Sequence, residues 1–314
     1  MRIRRSPSLL HQFVANVLPR VRQARELDDP DRERARILRW QAGLPGGLPT
    51  RLVRNFERRF ELDVDHSTGF PTYVFAPRGR RVTRTIFYVH GGGYMAPIDQ
   101  FHVLYAATLA RRLDARIVMG DYPLAPAHTW RDSYEQMLDL AVTWAQQTGE
   151  AGERGMTLMG DSAGGGYALA IAQGMRDRAA TETTPQAAQM VLHAPWADLS
   201  MSAPGTDEAS LGDPWLMLSK IHLYAEWWAG GAEDLTRPEV SPALGDLRDL
   251  PPTLMLHGTR DTLAPGCRML ARRAVEAGWD LTSIEEHGLL HVYSIFPVVP
   301  EGRNAMRQVL DFLR

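Results

Sequence analysis

From about residue 55 onward, short apolar runs alternate with amphipathic stretches. The runs predict strands at Phe56–Val64, Thr72–Ala76, Thr85–His90, Arg116–Asp121, Met156–Gly160, Met190–Ala194, Thr253–His257 and Leu281–Glu285. Apolar residues at helical spacing predict helices over Phe101–Leu113, Trp130–Gln147, Gly164–Arg176, Pro265–Ala277 and Glu301–Leu313. A strand covered on both faces reads as a continuous apolar run, and a helix between two such strands is the crossover that parallel pairing requires. The alternation therefore predicts an α/β fold, a mostly parallel eight-stranded sheet flanked by helices. The early strands lack a helix between them and are expected to be antiparallel at one edge.

Two stretches depart from this rhythm. Leu9, Leu10, Phe13, Val14, Val17 and Leu18 have helical spacing, a charged stretch follows from Arg25 to Arg36, and Leu44-Pro-Gly-Gly-Leu-Pro49 breaks the region off. Between Pro195 and Thr253 lies a long connection containing Trp215, Leu216, Met217, Tyr224, Trp227 and Trp228. A connection of that length inside a compact domain is usually functional. Its aromatics suit the apolar wall of a pocket, and they also suit simple packing on the core. We expect a discontinuous cap made of residues 1–50 and the insertion 198–248, over a sheet domain formed by 51–197 and 249–314.

Composition narrows the partners. The 37 acidic and 35 basic residues give a net charge of −2, which offers no electrostatic case for nucleic acid. Lys220 is the single lysine in the sequence, and the resulting arginine skew has no functional reading. The lone Cys267 excludes an intrachain disulfide and a cysteine-based zinc cluster. It fits a reducing compartment, so a cytoplasmic location is expected. No apolar run approaches the roughly 18 residues that span a bilayer. The positive start Met1–Arg5 precedes a stretch, Leu9–Val14, too polar for a secretory core, and a surface helix reads better than a transit peptide.

The candidate chemistry begins at Gly160-Asp-Ser162-Ala-Gly164, between a predicted strand and a predicted helix. A tight strand-to-helix turn with flanking glycines projects Ser162 as a nucleophile. The helix N-terminus beneath it favours developing negative charge. His90-Gly-Gly-Gly93 follows another strand, and its backbone N–H groups could hold an oxyanion. By itself the loop could also cradle a phosphate, but the helix and lysine of such a cradle are missing. With the elbow present, Gly92, Gly93 and Ala163 are the expected donors, and Gly91 is expected to shape the turn. A hydroxyl needs a base, and the base needs an orienting acid. Asp261 directly follows the strand Thr253–His257, and His291 lies 30 residues further on. His287 is the rival base. His193 and His257 fall in apolar strands and read as core residues. Asp161 reads as a structural hydrogen-bonding group, Asp198 as a pin for the insertion, and Asp121 as an anchor for the loop of Pro123 and Pro126. Nothing near Cys267 would activate it.

Taken together, His90-Gly-Gly-Gly93, Asp121-Tyr-Pro-Leu-Ala-Pro126, Gly160-Asp-Ser-Ala-Gly-Gly165, Gly258-Thr-Arg-Asp-Thr-Leu263 and His291-Val resemble the hormone-sensitive-lipase-like esterases, a branch of the α/β-hydrolases. The motifs run in the expected order over about 200 residues, which makes the set far more specific than any one of them. The resemblance implies a Ser162–His291–Asp261 triad, oxyanion donors at Gly92, Gly93 and Ala163, the cap described above, and no metal or organic cofactor. Tyr94, Trp215, Leu216 and Trp227 are expected to line the pocket. Pro123 and Ala127 stand where the family commonly has Arg and Glu, so a structural ion pair is expected to be missing. Tyr94 replaces a more usual Phe or Trp.

The expected activity is a serine carboxylesterase acting on a small-molecule ester with a short- to medium-chain acyl group. An amidase, deacetylase or acyltransferase would use the same residues. A non-catalytic small-molecule receptor on this fold would typically lose the nucleophile or base, and all three triad residues are present. Relatives often pair through the last strand, so the resemblance admits a homodimer.

Overall fold

A computed structural model of the chain describes residues 6–21 and 27–314. The chain opens with helices α1 (Leu9–Val21) and α2 (Pro30–Ala42) and a single helical turn, α3 (Phe56–Arg59). Strands β1 (Phe60–Asp65), β2 (Thr72–Pro77) and β3 (Arg84–Val89) follow, then α4 (Gln100–Leu113) and β4 (Ala115–Gly120). Next come α5 (Tyr134–Glu150), β5 (Met156–Asp161), α6 (Ala163–Thr181) and β6 (Gln189–His193). The long connection holds α7 (Thr206–Gly212) and α8 (Leu218–Ala229), and the chain closes with β7 (Thr253–Arg260), α9 (Ala264–Ala277), β8 (Leu281–Leu290) and α10 (Pro300–Phe312).

The eight strands form one sheet in the order β1-β2-β4-β3-β5-β6-β7-β8. The pairs β1–β2 and β2–β4 are antiparallel, and all later pairs are parallel. Period-two alternation sends β3 side chains to two cores. Ile86 and Tyr88 pack with α4 and α10, whereas Phe87 and Val89 pack with α5 and α6. All four are fully buried. Covering both faces is what turns these strands into unbroken apolar runs.

Some elements differ from the expectations. Phe56 begins a helical turn rather than a strand, and that turn stacks its ring on Phe60 at 4.9 Å. The helix expected from Trp130 is interrupted at Ser133 after a short 3₁₀ turn, Trp130–Asp132, whose Thr129 and Asp132 cap one another. Strand β8 continues to Leu290 rather than ending at Glu285. Its backbone stays paired with β7 at the sheet edge, while Glu285 and His287 point to solvent and interrupt the apolar run. Helix α1 buries His11 and Ala15 and leaves Leu9, Leu10 and Phe13 exposed. Met1–Arg5 and the start of the charged stretch lie outside the described residues, as does the side chain of Leu18. No described helix is long and apolar enough to cross a membrane.

Candidate active site

Ser162 stands alone between β5 and α6, with φ 53° and ψ −124°. That backbone region is costly for a residue with a Cβ, on the order of 1–3 kcal/mol, and persists only when the surroundings over-determine it. Here they do. Ser162 N–H donates to His193 O at 2.8 Å, and its carbonyl accepts from Gly165, Gly166 and Trp196. The turn also requires bare backbone on both sides. A Cβ on Gly160 would lie 2.2 Å from Gly164 O, and one on Gly164 would lie 2.2 Å from Val89 O. The flanking glycines therefore let β3, β5 and α6 touch.

The Ser162 hydroxyl donates to His291 Nε2 at 2.8 Å, and His291 Nδ1–H donates to Asp261 Oδ2 at 2.8 Å. Each of the three directly follows a strand: β5, β8 and β7 respectively. Parallel strands running the same way deliver all three to one edge, where ligands bind in open α/β sheets. Asp261 is fully buried, and its second oxygen accepts from Leu263 N–H at 2.9 Å. Burial pulls the His291 pKa down, but the charge and hydrogen bond of Asp261 outweigh it, and the net shift is upward. His287, the rival, is exposed on β8.

The glycine loop after β3 is moored by Asp161. This buried carboxylate accepts from Tyr88 Oη at 2.7 Å and Gly91 N–H at 3.1 Å, and pairs with His102 Nε2 at 3.3 Å. Burial would raise its pKa, but His102 and Tyr88 hold it below the usual carboxylate range. A Cβ on Gly91 would lie 2.3 Å from the Asp161 carboxylate, so Gly91 is there for close approach and its N–H is already engaged. The turn itself falls on Gly92 (φ 119°) and Gly93 (φ 64°). Tyr122 stacks on the His90 ring at 4.3 Å and donates to His90 O. Burial holds His90 neutral, with its pKa down at about 4.

The four expected pocket residues are distributed unevenly. Trp215 sets its ring edge-to-face with His291 at 5.5 Å. Tyr94 is buried and stacks on Trp228 at 4.4 Å, within a cluster that includes Trp196 and Tyr167. Leu216 and Trp227 are half-buried against the same core. A Cβ on Gly93 would sit 3.8 Å from Tyr224, which donates through Oη to the buried Glu33 of α2 at 2.5 Å. Tyr224 is among the insertion aromatics read as a possible pocket wall, but its pairing with Glu33 has no signal in the sequence, because nothing local links positions so far apart.

Among the other candidates, Asp198 accepts from the backbone and hydroxyls of Ser200 and Ser202, which pins the start of the insertion. His193 lies between Tyr105 Oη and Ser294 Oγ. His257 is buried with Nδ1 unpartnered and only a 3.4 Å contact from Nε2 to Ser283. Asp121 N–H donates to Pro71 O, and burial pushes its carboxyl up to about 6. Burial raises the Cys267 thiol well above its ordinary value, which leaves it unreactive. No group of three or more His, Cys, Asp or Glu side chains converges as a metal site would, among the described residues.

The chain as a whole is similar to known hydrolases. The family defined by the α/β-hydrolase fold matches residues 86–295. An acetyl-hydrolase of Streptomyces hygroscopicus is 31% identical over 249 residues, covering 79% of this chain and 81% of its own. An esterase of Acinetobacter venetianus is 25% identical over 231 residues, covering 73% and 74%. A crystal structure of an esterase from the bacterial hormone-sensitive lipase family superposes with a TM-score of 0.79 at 27% identity, over 99% of both chains.

Proposed function

The chain belongs to the α/β-hydrolase-fold family, in its hormone-sensitive-lipase-like esterase branch, and is a carboxylester hydrolase; from that premise we propose that Ser162, His291 and Asp261 are its catalytic triad. The observation that carries this reading is the unbroken hydrogen-bonded chain from Ser162 Oγ through His291 to buried Asp261. His291 takes the Ser162 proton as Oγ attacks the ester carbonyl. The carbonyl π electrons move onto oxygen, and the oxyanion is met by the N–H groups of Gly92, Gly93 and Ala163. Asp261 stays ionised, keeps His291 in the right tautomer and stabilises the imidazolium. Collapse of the tetrahedral species expels the alcohol, which takes the proton from His291. Water then repeats the sequence on the acyl-enzyme, releasing the acid and regenerating Ser162.

The substrate is an uncharged small-molecule ester with a short- to medium-chain acyl group. The relative named an acetyl-hydrolase supports the short end of that range, and Tyr94, directly after the glycine loop, is buried against Trp196 and Trp228. Residues 1–50 and 198–248 act as a cap over the site, linked through Tyr224 and Glu33.

The decisive experiment combines Ser162→Ala with fluorophosphonate labelling. The variant should lose hydrolysis of a p-nitrophenyl ester by at least about 10⁴-fold while keeping its fold by circular dichroism. The label should map to Ser162 in the unaltered protein, and retained turnover in the variant would sink the mechanism. Across p-nitrophenyl esters from acetate to laurate, kcat/KM should peak at short to medium chains. A maximum at laurate would refute the proposed acyl range.

A further inference from the structure

We propose that Asp213 is a positioning residue for the triad: its buried carboxylate ties the helical insertion to the loop that carries Asp261 and holds Trp215 against His291. The inference rests on the triad assignment above. Asp213 lies just after α7 and is only 6% exposed. One of its oxygens accepts from Thr262 N–H at 2.8 Å and Thr262 Oγ1 at 3.0 Å. The other accepts from Trp215 N–H at 2.8 Å and Leu216 N–H at 3.1 Å. One carboxylate thus serves two loops at once. Its first pair of donors belongs to the residue after the triad acid, and its second pair starts the segment whose Trp215 ring lies 5.5 Å from the base. A second contact reinforces the join, since Arg260 Nε donates to Gly212 O at 2.9 Å.

A buried carboxylate needs donors, and four fixed donors satisfy this one with no cationic side chain paired to it among the described residues. Its charge therefore remains available to the imidazolium that forms at His291 during the reaction. Electrostatic stabilisation of this kind is effective where it is preorganised and dry. The charged and titratable groups facing His291 are Asp261 after β7, Asp213 after α7 and Asp161 at the end of β5. From α1, His11 Nε2 accepts from Leu290 N–H at 3.2 Å, one residue before the base, with Glu301 of α10 and Arg260 nearby. Asp213 itself faces Asp261, which, after burial, is a further cause raising its pKa, while the backbone donors oppose the rise.

Asp213→Asn removes the charge and sets one donor pair against the amide NH2, which cannot accept. In the full-length protein, kcat/KM for a short p-nitrophenyl ester should fall on the order of tenfold. Its acid limb should also move about half a pH unit or more downward, because the imidazolium loses a nearby anion. A residue that merely supports the fold would lower activity and leave the limb in place, and that result overturns the proposal. Thr262→Val keeps the charge and removes only the hydroxyl donor. It should lower kcat several-fold with the limb at its original pH; an unchanged kcat overturns the proposal even if Asp213→Asn does not fold. Fluorophosphonate labelling separates the two readings. Ser162 labelled in both variants with an unmoved limb defeats only the role of Asp213. A label elsewhere in the unaltered protein defeats the triad assignment and this inference with it.

Discussion

Ser162 concentrates two costs that function explains and stability does not. Its backbone is held at a positive φ, and its hydroxyl is committed to His291. Ser162→Ala and Ser162→Gly both remove the hydroxyl, but only glycine relieves the backbone. The glycine variant should therefore be the more stable of the two by about 1 kcal/mol, read as a higher melting temperature, although the proposed mechanism makes both inactive. The alanine variant melting higher would show that no strain is stored there. In the proposed mechanism His291 sets the pH response. Burial lowers its pKa, Asp261 more than restores it, and the base works only when neutral. Activity should thus disappear as pH falls through a midpoint above the ordinary imidazole value of about 6.5. A raised histidine pKa contributes stability that is fully present below about 6.5 and is lost as pH rises through the folded value. Activity and this stabilising contribution consequently run in opposite directions across the same window.

Parallel strands supply the register that lets residues far apart in the chain react together. β5, β7 and β8 each end one residue before a member of the proposed triad. The sheet therefore acts as a ruler, and His287, four residues short of the base, lies on exposed strand instead of at the edge. His287→Ala should keep near-normal turnover of a p-nitrophenyl ester, whereas His291→Ala should lose it; the reverse would reassign the base. Close packing at the elbow is equally strict. Gly164→Ala would drive a Cβ to 2.2 Å from Val89 O, a backbone atom that cannot rotate away. The substitution should cost at least about 3 kcal/mol, seen as a lower urea midpoint, because β3 and α6 must separate.

Across the molecule, α2 meets the insertion through well-satisfied contacts, whereas α1 lies against α10. Glu33 of α2 receives Arg36, Tyr224 and Lys220, and Gln41 donates to Met95 O and Ala125 O beside the glycine loop. Hydrogen bonding to Arg36 outweighs burial and holds the Glu33 carboxyl down at about 2. A depressed carboxylate pKa contributes stability present above about 4.5 and lost as pH falls towards the folded value, so this join is intact throughout the neutral range. Glu33→Ala should loosen α2 and the insertion, the two parts of the proposed cap, together. We expect faster limited proteolysis near Asp28–Ala42 and a raised KM, with the melting of the sheet domain shifted by no more than about 2 kcal/mol. Unchanged proteolysis would show that Glu33 does not join them. The single lysine of the sequence, Lys220, sits at this junction, 3.4 Å from Glu33.

Much of the fold and of the candidate site is legible in the sequence. Apolar runs around residues 85–90, 156–160 and 190–194 announced buried parallel strands, because burial on both faces leaves no polar position to interrupt the run. The glycines around Ser162 and after His90 announced tight turns, since those conformations and close approaches admit little else. Polarity hid what lay at edges and junctions. In β8, Glu285, Glu286 and His287 interrupt the apolar run, so pairing that continues to the buried Leu289 and Leu290 left no unbroken apolar trace. The insertion showed aromatic density but not which rings face the site. Folding placed Trp215 against His291 and buried Tyr94 under Trp228. Asp213, Glu33 and His11 were likewise silent, because each acts on a residue dozens to hundreds of positions away. Local patterns record how a segment satisfies its own backbone and burial; which distant side chain completes a hydrogen bond is settled only when the chain closes on itself.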